Sequence, residues 1–266
     1  MNNKTPFKTI LSIIIALITL TAIINFTVVI TAVAFADSGS DSDGLKISAG
    51  GGYAVSTNIR KNSDLDGKGE DYISSWVPLV TFSWWRFAFR GLQSQLKLTN
   101  EPIFAFAVKI SRIGQEYRSA YLSKRRSSFA IGGDLRLILI NISYLRDIDG
   151  VSGGHQYQFA SGLPLSIIGN FLFLHIGFGL ELYDKKYVDY YFGVRDTEIM
   201  SDRPQYIGEK TWNRFLSLTI TFKPIELFSI SLSARYKNYG KSIKNSPTVR
   251  TNDELSYMAM MIFNII

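Results

Sequence analysis

The chain has 266 residues, of which 46% are hydrophobic, 14% aromatic and 19% charged. This balance excludes an intrinsically disordered chain and is sufficient for a folded domain rich in β-structure. Cysteine is absent, which excludes disulfides and thiolate chemistry. The net charge of +7 is not concentrated in a Lys/Arg-rich run of the kind that binds nucleic acid, so we expect no nucleic-acid partner.

Residues 1–36 have the features of a secretory signal peptide. Lys4 and Lys8 are followed by an uncharged stretch that ends in Ala34-Phe35-Ala36, a small-x-small cleavage pattern. The apolar stretch is longer than the usual ~7–15 residues, so an uncleaved helical anchor is the alternative. Both interpretations predict export. Residues 37–44 then form an acidic, Ser/Gly-rich linker.

From residue 45 onward, apolar and polar residues alternate with the period of two that is typical of β-strands. The first strand spans residues 45–55 and has small residues on its inner face. The next strand, 75–84, contains Pro78 and leads into a turn at Trp84-Trp85-Arg86, where aromatic rings and a cation suit a membrane interface. A change of parity at Arg90-Gly91 predicts a bulge or tight turn, and another strand begins at Phe104.

The second half continues this rhythm, with parity changes that place turns near Ile138-Leu139 and Gly169-Asn170. The clearest hairpin joins strands 216–222 and 228–236 through Lys223-Pro224-Ile225-Glu226. The long connection 185–211 has one short possible strand, 190–194. In the last strand, Leu255, Tyr257, Ala259, Met261, Phe263 and Ile265 are predicted to face outward, and Glu254, Ser256 and Asn264 inward.

These elements predict an all-β protein in which residues 45–266 form an antiparallel transmembrane β-barrel. We count ten to twelve strands and favour twelve, because bacterial barrels have even strand numbers. Short turns alternate with long connections, as expected for periplasmic turns and outer loops. The long connections are 57–71, 112–126, 147–155, 185–211 and 239–253.

The side chains offer little support for catalysis or metal binding. Ser152 and His155 lie near Asp147 and Asp149, but nothing in the sequence fixes a nucleophile beside a base, so we interpret His155 as a structural loop residue. With two histidines and no cysteine, a transition-metal site is not expected. We predict that the protein is not an enzyme, binds no cofactor and has no catalytic or metal-ligating residues.

Two other groups of ionisable residues have structural interpretations. His175 shares the inward parity of Glu181, but the two are about 20 Å apart along one strand, too far to touch. Asp64, Asp66 and Glu70 do not match the spacing of a calcium loop and are interpreted as a solvated loop. Five charged residues with inward parity either line a pore or pair across a filled interior: Lys109, Arg136, Glu181, Arg235 and Lys237.

Four stretches, in order, resemble motifs of the MipA/OmpV family of outer-membrane proteins. They are Arg90-Gly91-Leu92, Val151-Ser152-Gly153-Gly154-His155, Tyr190-Tyr191-Phe192-Gly193-Val194 with the following Pro204-Gln205-Tyr206, and Asn245-Ser246-Pro247-Thr248-Val249-Arg250. The resemblance extends over roughly residues 45–266. It departs from the family at Gly240-Lys241-Ser242-Ile243, where the family has an acidic G-D-A-A.

The resemblance implies a monomeric barrel in the outer membrane of a Gram-negative cell, surrounded by lipid. It also implies a non-enzymatic scaffold that brings a lytic transglycosylase and a peptidoglycan synthase together. A narrow channel for small polar solutes, or an adhesin, is the alternative. A barrel hydrolase that uses His155 is the third hypothesis.

Overall fold

The computed structural model describes residues 44–61, 71–101, 103–119 and 121–265. The predicted signal peptide, 1–36, and most of the predicted linker, 37–44, lie outside the described residues. The acidic stretch Asp64 to Glu70 lies outside them as well.

Within the described residues, twelve antiparallel strands close into one barrel, and two further strands form a separate hairpin. This confirms the predicted architecture and the favoured strand number. The barrel strands are β1 (Lys46–Thr57), β2 (Tyr72–Trp84), β3 (Phe87–Arg90), β4 (Gln93–Asn100), β5 (Phe104–Ile113), β8 (Ser128–Leu137), β9 (Ile140–Asp147), β10 (His155–Ile168), β11 (Leu172–Tyr183), β12 (Thr211–Ile225), β13 (Phe228–Asn238) and β14 (Asp253–Asn264). The hairpin is formed by β6 (Tyr117–Ser119) and β7 (Leu122–Arg125).

Neighbouring barrel strands are consecutive in sequence, except where β5 pairs with β8 around the hairpin and where β1 pairs with β14 to close the barrel. Three helical segments occur in the described connections: α1 (Lys185–Phe192), a 3-10 helix (Asp196–Glu198) and α2 (Lys241–Lys244). In the part of the chain that the structure describes, no helix is both long enough and apolar enough to cross a bilayer.

The outer surface of the barrel is apolar, as the alternation predicts. Leu216 is 53% exposed, and its alternate neighbours Leu218, Ile220 and Phe222 on β12 are exposed as well. A soluble protein would bury such a continuous band, whereas a lipid-facing wall requires it. On β14 the predicted division also holds, with Phe263 outside and Glu254 and Ser256 buried inside.

The wall of the lumen is polar in one part and apolar in another. On one side, hydroxyl pairs connect β12 and β13, with Thr219 and Ser233 at 3.0 Å and Thr221 and Ser231 at 3.0 Å. The adjacent part of the wall, formed by β1, β2 and β14, has an apolar cluster that consists of Ala54, Val77, Leu79, Met258, Met260 and Ile262. The predicted small inner face of β1 is confirmed, because a Cβ atom on Gly52 would lie 2.6 Å from the carbonyl oxygen of Ala259.

The two ends of the barrel differ in their connections. At one end, the turn end, strands are joined by short turns that include Trp85-Arg86, Ile138-Leu139 and Glu226-Leu227. The turns predicted at residues 84–86 and near 138–139 and 169–170 are therefore confirmed. The predicted connection Lys223–Glu226 is wrong in detail. β12 continues to Ile225 through a register shift after Phe222, and the turn is Glu226-Leu227.

At the other end, the loop end, two predictions of local structure are wrong. Residues 190–194 do not form a strand, because α1 extends to Phe192. Its buried residues, Tyr187, Val188, Tyr191 and Phe192, recur at the spacing of one helical face, and this packing overrides the β-propensity of the aromatic run. The predicted loop 112–126 contains the end of β5 and the hairpin β6–β7.

Candidate functional site

The described connections at the loop end pack together into a structure that we call the loop cap. It comprises residues 58–61, 114–119, 121–127, 148–154, 184–210 and 239–252. Asp184 caps the N-terminus of helix α1, because its carboxylate accepts a hydrogen bond from the backbone N–H of Tyr187 at 2.9 Å. The buried face of α1 belongs to one hydrophobic cluster with residues from other loops and from the strand ends: Ile59, Ile113, Ala130, Leu145, Tyr183, Tyr239, Ile243 and Val249.

A buried ion pair fastens the hairpin β6–β7 to the segment that follows α1. The Arg125 guanidinium donates to both carboxylate oxygens of Glu198, at 2.8 and 2.7 Å, and both side chains are almost completely buried. Backbone N–H groups of Ser123 and Arg195 donate to the same carboxylate. These hydrogen bonds to the charged form lower the pKa of Glu198 from its ordinary value of 4.5 to about 2, against the opposing effect of burial.

Side-chain to backbone hydrogen bonds join the remaining loops. The Ser246 hydroxyl donates to the carbonyl of Phe192 at 2.6 Å, and the Tyr206 hydroxyl donates to the carbonyl of Ser242 at 2.7 Å. The Tyr191 hydroxyl donates to the carbonyl of Arg126 at 2.9 Å. Because these contacts connect different loops, the loop cap is one packed unit.

Beneath the loop cap, the upper lumen contains a cluster of paired charges. Glu181 on β11 accepts from Arg235 at 2.6 Å and from Lys237 at 2.7 Å, both on β13. The Tyr183 hydroxyl donates to the same carboxylate at 2.6 Å. All of these side chains are buried, so each charge depends on its partner.

A second ion pair on the lumen wall joins two neighbouring strands. Lys109 on β5 donates to Asp134 on β8 at 2.8 Å. Lys109, Glu181, Arg235 and Lys237 are therefore paired inside the barrel, and the same four side chains also line the cavity described next.

A cavity of about 80 Å³ lies between this charge cluster and the loop cap. Its lining is polar and aromatic and includes Arg60, Lys109, Gln158, Glu181, Tyr187, Arg235, Lys237 and Glu254. The volume accommodates several water molecules or one small solute. The polar lining makes this cavity a candidate binding site for a small polar solute.

Comparison with known proteins decides the family. A family model described as "MltA-interacting protein MipA" matches residues 37–264. The chain belongs to the MipA family. The resemblance to MipA/OmpV proteins seen in the sequence motifs is thus confirmed.

Individual proteins match this MipA-family chain either over a short stretch or at low sequence identity. A 24 kDa outer membrane protein of Pasteurella multocida is 31% identical over 81 residues, which is 30% of this chain and 32% of that protein. The chain therefore matches about a third of that relative's length. An outer membrane channel from Pseudomonas putida F1 aligns with a TM-score of 0.40 and 8% identity, over 85% of this chain and 98% of the channel. A FadL homologue from Pseudomonas aeruginosa aligns with a TM-score of 0.37 and 10% identity, over 83% of this chain and 90% of the homologue.

The residues considered for a catalytic set are used structurally in this MipA-family barrel. The Ser152 hydroxyl donates to Asp147 at 2.8 Å, while His155 Nδ1 is hydrogen-bonded to the Tyr144 hydroxyl at 2.8 Å and stacks on its ring. Asp149 accepts from the backbone N–H of Phe129 at 2.8 Å. Ser152 is thus bonded to Asp147 and His155 to Tyr144, and no Ser–His hydrogen bond is present among the described residues.

His175 faces the lumen, as its parity predicts. A Cβ atom on Gly162 would lie 2.5 Å from its Nε2, so the imidazole packs against the backbone of the neighbouring strand. No cluster of three or more metal-ligating side chains is found in the stretches that the structure describes.

Sequence reasoning missed the two arginines that organise the loop end, Arg60 and Arg125. Both lie in connections between barrel strands, where a charged residue normally indicates a solvated loop. One signal was available in the sequence. Ile59, Val188, Ile243 and Val249 are apolar residues in segments predicted to be exposed, and each of them is buried in the loop cap.

Proposed function

We propose that the protein is a non-enzymatic scaffold of the outer membrane that binds a lytic transglycosylase and a peptidoglycan synthase. In this proposal, residues 1–36 are removed on export and the barrel is a monomer surrounded by lipid. Membership of the family of MltA-interacting proteins supports a lytic transglycosylase as one partner. The engagement of Ser152 and His155 with structural partners supports a role without catalysis.

The observation that carries this proposal is the packed loop cap. A general diffusion pore needs an open mouth, whereas here buried side chains from several loops fill the loop end. A rigid, capped barrel is suited to presenting fixed surfaces to other proteins, because little conformational entropy is lost on binding.

We assign partner binding to the turn end. Peptidoglycan lies on the periplasmic side of the outer membrane, and short turns are the periplasmic connections of such barrels. Two turn residues there are apolar and highly exposed, Trp85 at 63% and Ile138 at 68%. Trp is among the side chains most enriched at the energetic centres of protein interfaces, and Ile138 adds apolar surface at the same end that binding would bury.

The test is a binding assay between the purified barrel in detergent and a purified MltA-type lytic transglycosylase. In the test variants, Trp85-Arg86 and Ile138-Leu139 are each replaced by Asn-Gly, which suits two-residue hairpin turns and preserves the fold. We expect the double replacement to weaken binding by about tenfold or more, because anchor residues contribute ~1–2 kcal/mol or more each.

The matched control changes the opposite end of the molecule. Lys185→Ala removes an exposed ion pair with Glu209 on the loop cap and should leave binding unchanged. Equal affinity of wild type and both turn variants would refute the assignment to the turn end. Failure of the wild type to bind any transglycosylase would refute the scaffold proposal.

A narrow channel for small polar solutes is the second candidate. The charged cavity favours it, because Lys109 and Arg235 line the space that a solute would cross. Planar-bilayer recordings should then show small single-channel currents whose ion selectivity changes in Lys109→Glu or Arg235→Glu. Folding of each variant is checked by its shift in gel mobility on boiling. If folded protein produced no single-channel currents in the bilayer, the channel function would be excluded.

A further inference from the structure

Arg60 is held in the loop cap with one edge of its guanidinium group fixed. The side chain is 2% exposed, and its Nη1 donates to the Thr248 hydroxyl at 3.2 Å. The guanidinium carbon lies 3.9 Å from the centre of the Phe192 ring and 4.7 Å from that of Tyr117. Two aromatic contacts and one hydrogen bond therefore set the orientation of the group.

The other edge of the same guanidinium group is buried without a hydrogen bond to any described residue. It consists of Nε and Nη2 of Arg60, neither of which has a hydrogen-bond partner in the described part of the chain. Together they form the side-on fork with which arginine binds both oxygens of a carboxylate or phosphate. Leaving such a charge buried and unpaired is costly, and native structures seldom do so without a reason.

The carboxylates that share the cavity with Arg60 among the described residues have other partners. Lys109 is paired with Asp134, and Glu181 is shared by Arg235 and Lys237. Among the described residues, no carboxylate lies within ion-pair distance of Arg60. Burial lowers the pKa of Arg60 to about 10, so the guanidinium remains protonated at neutral pH.

Arg60 lines the cavity beneath the loop cap, together with a second unused donor. Gln158, on β10, has a buried side-chain nitrogen that lacks a hydrogen-bond partner, and it lines the same space. The cationic residues of the lining are Arg60, Lys109, Arg235 and Lys237, and its carboxylates are Glu181 and Glu254. The Tyr239 hydroxyl donates to Glu254, so that carboxylate already has a partner within the protein.

We propose that this cavity is a binding site for the oxyanion group of a small solute, with the Nε–Nη2 edge of Arg60 as its bidentate ligand. A carboxylate and a phosphate both fit this chemistry, and the cavity of about 80 Å³ limits the enclosed part to a group of that size. The Gln158 amide supplies a further neutral donor. The proposal does not depend on the scaffold role, because the site lies inside the barrel and away from the turn end.

Isothermal titration calorimetry on the full, folded barrel in detergent tests the site, with sodium phosphate and sodium acetate as separate probes at constant ionic strength and pH 7. We expect at least one of them to bind with one-to-one stoichiometry. Arg60→Lys keeps the charge but loses the fork, and should weaken binding by about tenfold or more. Binding of phosphate alone identifies a phosphate-bearing solute, and binding of acetate alone identifies a carboxylate.

The matched control is Arg118→Lys, the same substitution at an exposed arginine of β6, which should bind like the wild type. No binding of either probe to the wild type, or equal binding by Arg60→Lys, would overturn the proposal. If Arg60→Lys does not fold, as judged by gel mobility before and after boiling, Gln158→Leu decides instead. Weaker binding by Gln158→Leu supports the site, and unchanged binding overturns it.

Discussion

The loop end and the turn end of the barrel are stabilised in different ways. At the loop end, charged and aromatic side chains from segments far apart in sequence are buried against one another, as in the pair of Arg125 and Glu198. At the turn end, apolar side chains are exposed on tight turns, and Trp85 and Ile138 have positive φ angles of 51° and 53°. The loop end therefore depends on long-range contacts and the turn end on local backbone geometry. This difference predicts which substitutions affect each end.

The largest effect is expected from Arg125→Ala. The substitution leaves the buried Glu198 carboxylate without its cation, at a cost of about 3–5 kcal/mol to the local stability of the loop cap. Hydrogen exchange should accelerate strongly in β6, β7 and the 3-10 helix, while the barrel strands keep their protection. Lys185→Ala, which removes an exposed ion pair screened by solvent, should leave hydrogen exchange nearly unchanged. Equal exchange in both variants would contradict a cap fastened by the buried pair.

Acid should loosen the loop end selectively. The folded-state pKa of Glu198 is lowered to about 2 from its ordinary value of 4.5, so its contribution to stability is fully present above pH 4.5. That contribution is lost as the pH falls from 4.5 through 2. Protease sensitivity of the β6–β7 hairpin should rise over this range in the wild type. In Glu198→Gln the hairpin should already be protease-sensitive at neutral pH. If that variant showed the same dependence of protease sensitivity on pH as the wild type, Glu198 would not be the group that stabilises the hairpin.

Gly114→Ala tests the aromatic packing of the cap. A Cβ atom there would lie 2.0 Å from the Tyr191 ring, on a residue whose φ of +75° already disfavours a side chain. Gly150→Ala is the matched control, because Gly150 has a φ of +69° and nothing within 4 Å of an added Cβ. Backbone strain alone costs about 1–2 kcal/mol, and Gly114→Ala should cost more than its control by about 1–3 kcal/mol. If the loop caps of Gly114→Ala and Gly150→Ala unfolded at the same denaturant concentration, the Tyr191 ring would be free to move away from the added methyl group.

The smallest effect is a gain in stability at the turn end. Ile138→Asn replaces a β-branched residue with one that tolerates positive φ, and should stabilise the barrel by about 1 kcal/mol. Ile103→Asn changes an equally exposed isoleucine that lies at the same end without a positive φ, so it should bring no gain. Thermal unfolding in detergent compares the two. Equal thermal unfolding midpoints for Ile138→Asn and Ile103→Asn would mean that the positive φ of Ile138 does not strain the turn.

The wall of the barrel could be predicted from the sequence because each strand carries its own signal. Alternation on β12, β13 and β14 indicated which side chains face lipid, and parity changes located the turns at 138–139 and 169–170. The turn at 85–86 was located from the Trp84-Trp85-Arg86 run. The position of one turn was missed because Lys223 and Pro224 resemble turn residues, whereas the strand continues past them through a register shift. Such a shift has no sequence signature of its own.

The loop cap and the cavity could not be predicted, because their signals are pairwise and non-local. Arg60 meets Thr248, 188 residues away, and Arg125 meets Glu198, 73 residues away. In sequence, a buried arginine resembles a solvated one. Helix α1 was interpreted as a possible strand because Tyr190 to Val194 is a run of aromatic and β-branched residues, and only its packing on the cap selects the helix.

Closure of the barrel places a constraint on how the protein can be made. The seam joins β1 to β14, with Ser48 hydrogen-bonded to Asn264 across a sequence separation of 216 residues. Until β14 is present, β1 and β13 remain as two unpaired strand edges that can associate with other chains. The final strand is therefore the step that commits the whole barrel, and folding is expected to be slow and nearly all-or-none. A chain that lost β14 would be a candidate for aggregation and degradation rather than a smaller barrel.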